Sequence, residues 1–405
     1  MNVLLIAPGF PAEMPFFTRG LARAGVRVVG LGDQPTSALP DMAREHLAHY
    51  IQVPTFTDED GIVAEVLRQA GWLKIAQVEC LWEPMMVLAA RLREALGLPG
   101  MTVDQTIPFR DKERMKQVLD AAGVRTPRHL STTTADGVRR AAEAIGYPLI
   151  VKPIAGAGSA NTHRVESFAD LERVIPLLRG VAEVSVEEFI DAEEFTFDTI
   201  CANGRVLYYN ICWYRPRPLI ARQLEWVSPM TVALRDPDVD HLAGGREMGW
   251  RVLEAMGFRD GFTHMEWYLK PDGETVFGEI GARPPGARTV DVMNFTVDDD
   301  LYAAWAHAVV HGSLPHPVHR RYNAASVFKR ASGQGRIQHI EGLGRLMAEY
   351  GEHVVALDLL PIGAPRRDWL QTLISDGMVV VRHPELSATL EMADRFAGEL
   401  RLHAG

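Results

Sequence analysis

Cysteine is scarce, with three in 405 residues, Cys80, Cys201 and Cys212, and none in CxxC spacing. An odd, scattered set completes no disulfide framework, so a reducing compartment is expected and the thiols read as small buried residues. No apolar run approaches the ~20 residues of a membrane span, and the first, residues 3–7, is too short and lacks the basic flank of a secretory leader. A cytoplasmic location without membrane partners follows as an expectation. Basic residues are outnumbered, 42 against 52 acids for a net charge of -10, and no dense lysine or arginine run offsets that balance. A nucleic acid partner is therefore not expected. The chain has no internal repeat, and the loop APGFP after its first apolar run holds one glycine, so the dinucleotide fingerprint GxGxxG is missing.

What is present is ordinary globular composition, 47% hydrophobic and 23% charged, in a chain long enough for two or three domains. Residues 1–110 alternate short apolar runs with amphipathic segments near 16–24, 61–69 and 84–96, the pattern of a parallel sheet covered by helices. From residue 111, DKERMKQVLDAAG predicts a helix with Met115, Val118 and Leu119 at helical spacing. Thr133 or Thr134 caps a further helix over 135–145, which leads into the strand YPLIVKP. A glycine-rich loop, a short strand, a helix and the strand VSVEEFI complete a unit over 111–190. Residues 191–315 are strand-rich, interrupted by a helix near 239–256. Residues 316–405 read as a small appended α+β domain.

The most informative stretch is HMEWYLKPDGETVFGEIGARPPGAR, residues 264–288. Residues 262–269 alternate as a strand, so Glu266 shares a face with His264 and Tyr268; KPDG turns the chain, and residues 275–280 return. Two acids, Glu266 and Glu279, can thus converge, with Arg283 close behind. Paired carboxylates repel unless a cation or proton lies between them, and magnesium, satisfied by one or two carboxylates plus phosphate oxygens, answers that need. Taken alone, the hairpin reads first as an exposed ribbon with solvated glutamates, since charged residues are mostly exposed.

Upstream, Lys152 ends the strand LIVKP and is followed by IAGAGSAN, where Gly156 and Gly158 let backbone amides approach an anion and Ser159 adds a hydroxyl. Lys112 opens its helix, while Glu187 and Glu188 end VSVEEFI and Glu194 follows a short turn. Each of these is by itself a plain turn or a solvated charge. In this order, however, with DK and GVRTP ahead of them, they resemble the ATP-grasp superfamily over roughly residues 1–315.

The resemblance implies an α/β and α+β multidomain ATP-grasp fold: a Rossmann-like domain over 1–110, a lid subdomain over 111–190 and a large subdomain over 191–315, followed by residues 316–405. It implies that Lys112 and Lys152 bind phosphate, that the loop with Gly156, Gly158 and Ser159 covers it, and that Glu187, Phe189 and Ile190 form the hinge against adenine. Glu194 would hold the ribose, and Glu266 and Glu279 the magnesium, or manganese in its place. One departure is Gly281, where the family often places an asparagine that also binds metal. EIGAR followed by PPGA resembles the branch that joins amino acids, which implies a substrate role for Arg283; His264, on the Glu266 face, and Gly286 are further substrate candidates, His264 reading equally as a satisfied structural histidine.

Such enzymes need no protein nucleophile: ATP phosphorylates a carboxylate, and an amine displaces phosphate from the acyl phosphate. Arg283 and Lys152 are the expected catalytic residues, small carboxylates and amines the expected partners, and a homodimer is common in the superfamily. A carboxylating or formyl-transferring enzyme of purine synthesis, or a degenerate nucleotide-binding protein, are the alternatives. A biotin carboxylase component fits less well, since no biotin-carrier segment is recognisable. The cluster Trp213, Tyr214, Arg215 and Arg217, with Glu225 and Trp226 beyond, reads either as a substrate wall or as strand packing.

Overall fold

The computed structural model describes residues 1–154, 162–372 and 374–405. Gly156, Gly158 and Ser159 of the expected phosphate loop lie outside the described residues.

Four parallel strands open the chain, in the order Leu47–Gln52, Arg27–Gly32, Asn2–Ile6 and Ile75–Cys80. Asn2–Ile6 is central and almost wholly buried, as a doubly covered strand must be. The strand Leu47–Gln52 and the helix Asp41–His46 before it were not legible in the sequence. This edge strand is only partly buried and interleaves polar residues with apolar ones, so it carries no continuous apolar run.

A second unit is an antiparallel sheet ordered His129–Thr132, Val184–Glu188, Leu149–Pro153 and His163–Val165. Helix Ala135–Ile145 lays Val138, Ala141, Ala142 and Ile145 on it. Of the two candidate caps, Thr134 is the one used, its hydroxyl accepting from the amide of Gly137 at 3.0 Å.

The third sheet has nine strands and holds the hairpin. Its path runs Thr275–Gly281, Gly261–Leu269, Glu193–Ala202, Cys212–Arg215, Met230–Ala233, Asn323–Phe328, Gly377–His383 and Val354–Leu359, with Arg205–Asn210 on the flank. The expectation of a small appended domain after residue 316 is thereby corrected. Three strands of that segment complete the large sheet, because the apolar faces of Asn323–Phe328 and Gly377–His383 are buried residue after residue and need neighbours on both edges. Only the small sheet of Ser332–Gly333, Arg401–Ala404 and Ile337–Glu341 stands apart from it.

Helices Thr289–Val297 and Leu301–His311, also unread in the sequence, dock the first domain onto the large sheet. Phe17 meets Tyr302 and Trp305 edge-on at 4.7 and 5.2 Å, and Gly20 lies so close that a Cβ would come within 2.7 Å of the Tyr302 carbonyl. Beneath the hairpin, fully buried Trp267 stacks on Phe195 at 5.0 Å and donates to the carbonyl of Thr196 at 3.1 Å. Helix Ala243–Ala255 passes over it at Gly245, where any side chain would collide with the indole. Trp267→Ala is expected to cost about 3–5 kcal/mol of unfolding free energy by the cavity it opens; urea denaturation followed by circular dichroism checks this, and a loss under about 1 kcal/mol would contradict the packing role.

Candidate active site

The hairpin brings Glu266 and Glu279 directly opposite each other, but alternation alone would not. From the turn, Leu269 pairs with Thr275 and Trp267 with Phe277, a register that continued unbroken would set Glu279 against Met265 on the buried face. One extra residue, Gly278, enters as a β-bulge between Trp267 and Glu266 and turns Glu279 to the pocket side. A Cβ at Gly278 would sit 2.8 Å from the carbonyl oxygen of Glu266, so the bulge closes only with glycine.

Lysines from outside the large sheet reach this hairpin and its neighbours. Lys112, which begins the helix Lys112–Ala121 behind the Asp111 cap, is buried and pairs with Glu279 at 2.8 Å. Lys152 pairs with Glu187 at 2.8 Å, and Lys116, one turn after Lys112, binds the other oxygen of the same carboxylate. Glu187 thus serves two lysines rather than presenting a free edge to a base. Burial acts to raise its carboxyl, but Lys116 and Lys152 outweigh burial and hold it well below the usual range.

His264 donates one ring nitrogen to Asp198 at 2.6 Å and lies 3.5 Å from Glu266 with the other. Burial would lower the imidazole, yet Asp198 and Glu266 prevail and raise it to about 9, so it is a cation at neutral pH. Burial works to raise Glu266, and His264, with Arg283 and Lys112 behind it, more than offsets it. Arg283 folds back over Gly281, whose Cβ would lie 3.3 Å from the Arg283 side chain. A side chain at 281 would press on that arginine, which would have to give by a few tenths of an ångström. The guanidinium is anchored by Glu83 at 2.8 Å and by the carbonyl of Pro284 at 2.9 Å, and Glu83 in turn binds Arg110.

These groups open on one cavity of about 580 Å³. Phe189, Ile190, Glu194 and Gly286 all line it, the last with open space at its α-carbon. Glu194 is buried 3.4 Å from Arg217, and burial together with the Glu266 charge pushes its carboxyl up to about 8. The aromatic and arginine cluster divides. Tyr214 and Arg217 face the cavity, Arg217 also lying over the Phe189 and Tyr268 rings, whereas Trp213 stacks on Phe195 and Arg215 pairs with Asp394. Glu225 pairs with Arg366, Trp226 is exposed, and the three cysteines are buried and free. Among the described residues, no three His, Cys, Asp or Glu side chains gather as a metal site. The available acid donors are the two hairpin carboxylates, hard oxygen ligands now neutralised by Lys112 and His264, which suits an ion that takes its remaining ligands from phosphate and water.

Sequence reasoning missed Lys116, Asp198 and Glu83. Lys116 had a signal, its four-residue spacing from Lys112 on one helix face. Asp198 had one too, an acid inside the apolar strand FTFDTI. Glu83 had none, being 200 residues from the arginine it holds.

Residues 109–214 match the ATP-grasp domain family. This chain carries an ATP-grasp domain. The matched segment starts beside Lys112 and contains Lys152, Glu187 and Glu194; the hairpin acids lie beyond it. An L-arginine-specific L-amino acid ligase of Bacillus subtilis is 28% identical over 294 residues, 71% of this chain and 70% of that relative. The alanine–anticapsin ligase of Bacillus subtilis is 25% identical over 253 residues, 56% of this chain, which spans about half, 52%, of that relative's length. A formate-dependent phosphoribosylglycinamide formyltransferase of Synechococcus sp. (strain CC9311) is 24% identical over 89% of both chains. The crystal structure of L-amino acid ligase from Bacillus licheniformis superposes with a TM-score of 0.80 over 100% of this chain and 98% of the other at 20% identity, which establishes a shared ATP-grasp fold.

Removing the acid that the two lysines share tests how strongly the ATP-grasp site depends on it. Glu187→Gln leaves two buried ammonium groups facing an amide and is expected to cost about 3–5 kcal/mol in denaturant unfolding. The sign of its pH dependence follows from the lowered carboxyl: the wild-type advantage is complete above the unfolded glutamate range and fades as pH falls below about 4.3. Equal stability of the two proteins at pH 7 would refute the arrangement.

Proposed function

We propose that this ATP-grasp protein is an ATP-dependent carboxylate–amine ligase that forms an amide, with an amino acid as one substrate, and releases ADP and phosphate. The observation that carries the reading is the convergence of Glu266, Glu279, Lys112 and Arg283 on one wall of the cavity. The amino acid ligases among the similar proteins support it.

The chemistry needs positioning and charge neutralisation rather than a nucleophile from the protein. Lys112 and Lys152 would neutralise phosphate oxygens, and Phe189, Ile190 and Arg217 would flank the adenine end, with Glu194 on the ribose. Arg283, held by Glu83 from the first domain, would bind the substrate carboxylate at the phosphoryl-accepting position through its planar fork. Glu266 and Glu279 would hold magnesium, which when bound supplies positive charge to the transferring phosphoryl group. The terminal phosphoryl group passes to the carboxylate, giving an acyl phosphate and ADP; the amine nitrogen attacks the acyl carbon, and the C–O bond to phosphate breaks. His264, kept protonated by Asp198, fixes Glu266 in place.

A second reading, transfer to or from a one-carbon acid, draws on the formyltransferase that matches 89% of the chain. Formate or bicarbonate dependence of ATP turnover would identify it. A catalytically degenerate protein fits poorly with a full set of paired acids and lysines.

Incubation with magnesium ATP and pooled amino acids should release ADP and phosphate and yield a new amide mass, whereas AMP with pyrophosphate would sink the mechanism. Arg283→Ala is expected to lower kcat/KM by on the order of 100-fold or more through loss of a charge-stabilising donor. Gly278→Ala should reduce turnover on the order of 100-fold by displacing Glu279, with the far-ultraviolet spectrum unchanged; full activity would disprove the role of the bulge.

A further inference from the structure

The cavity continues past the hairpin. Beyond Gly286, Ala287 packs against the cluster of Phe328, Met378 and Val380, and the lining also takes in Arg330, Arg222 and Gln371. The strand Asn323–Phe328 is four strand steps from Gly261–Leu269 in the sheet, roughly 19 Å from the acid pair at ~4.8 Å per step. Allowing for side chains that reach in from both ends, the interval suits a small extended molecule.

The far end is rich in uncompensated positive charge. Arg222, Arg330 and Arg366 lie near one another, with Glu225 and Asp376 as the local acids. Both acids are engaged by Arg366, which binds Glu225 and lies 3.5 Å from Asp376. Among the described residues, neither Arg222 nor Arg330 has a carboxylate within ion-pairing distance. Arg330 donates to the carbonyls of Ala221 and Leu224 at 2.7 and 2.9 Å and stacks over Trp369 at 4.4 Å, while its Nε is buried with no acceptor among the described residues. Arg222 donates to the carbonyl of Leu370 at 3.3 Å. Burial, reinforced by the Arg222 charge, lowers the Arg330 guanidinium to about 10, the direction expected of a cation that lacks its counter-ion. Two arginines on a cavity wall with no ion pair of their own among the described residues, in a protein of net charge -10, are costly unless an anion completes them.

We propose that Arg222 and Arg330 form an anion subsite for the distal end of the substrate, so that the ligase accepts a molecule bearing a second anionic group, carboxylate or phosphate. This deepens the ligase reading and rests on it for the word substrate, though the binding itself does not.

Calorimetric titration of glutamate, phosphoserine, glutamine and serine into the protein saturated with magnesium ADP tests the subsite. Glutamate or phosphoserine should bind at least about tenfold more tightly than its neutral counterpart, the size of one charge-assisted contact, and Arg222→Gln and Arg330→Gln should each abolish that advantage. A lead for glutamate assigns a carboxylate and a lead for phosphoserine assigns a phosphate. Equal affinity of all four, no binding of any, or an advantage that survives both substitutions overturns the proposal. Arg330 also supports the 218–224 segment, so if Arg330→Gln lowers the melting temperature sharply, Arg222→Gln, which gives up a single long carbonyl contact, decides. Failure to form an amide would defeat the ligase reading while leaving this charge preference measurable.

Discussion

Repulsion among carboxylates that share one cavity governs this structure. Glu194, Glu266 and Glu279 project from neighbouring strands into a half-enclosed space, where their mutual repulsion is poorly screened. The protein answers in two ways: His264 is set beside Glu266 and Lys112 beside Glu279, while Glu194, with Arg217 3.4 Å away, is pushed toward its neutral form. Lys112 comes from a helix ahead of the lid sheet and Arg217 from the loop after Cys212–Arg215, so the wall assembles only when separate parts of the chain meet. The same balance leaves both signs of charge standing side by side along the wall.

Supporting contacts repeat this logic one layer out. Asp198 holds His264, Glu187 holds Lys152 through a carboxylate it also gives to Lys116, and Glu83 holds Arg283. Each buried charge is thereby oriented as well as neutralised, and an oriented charge loses less on meeting its ligand than one that must first be ordered. Gly281 belongs to this layer by omission, since its missing side chain is the space that Arg283 occupies.

Much of this was legible in the sequence because periodicity and order survive without coordinates. Three of the four parallel strands of the first domain, the helix over 135–145, the hairpin limits and the run from Lys112 to Glu279 were readable as patterns. The convergence of Glu266 and Glu279 was read correctly for an incomplete reason: alternation in a regular hairpin places them on opposite faces, and the bulge at Gly278 restores the pairing. A single glycine in a strand does not announce which way it shifts the register. Partners distant in sequence, such as Glu83 for Arg283, left no mark at all. The segment after residue 316 was misread as separate because apolar strands state that they need neighbours without saying which ones.

That continuity across the large sheet bears on how the protein comes into being. The strand Met230–Ala233 hydrogen-bonds on its far side to Asn323–Phe328, about ninety residues later in the chain, and that strand in turn needs Gly377–His383. During synthesis from the N-terminus, the half-sheet bearing the acids therefore waits with an open edge, unable to complete its ladder until Asn323–Phe328 and Gly377–His383 have left the ribosome. An open edge of buried-type residues is an invitation to pair with a stranger. The period of greatest hazard for this molecule thus falls between the synthesis of Met230–Ala233 and that of Gly377–His383, when the wall that bears the acids exists but the strands that seal its sheet do not.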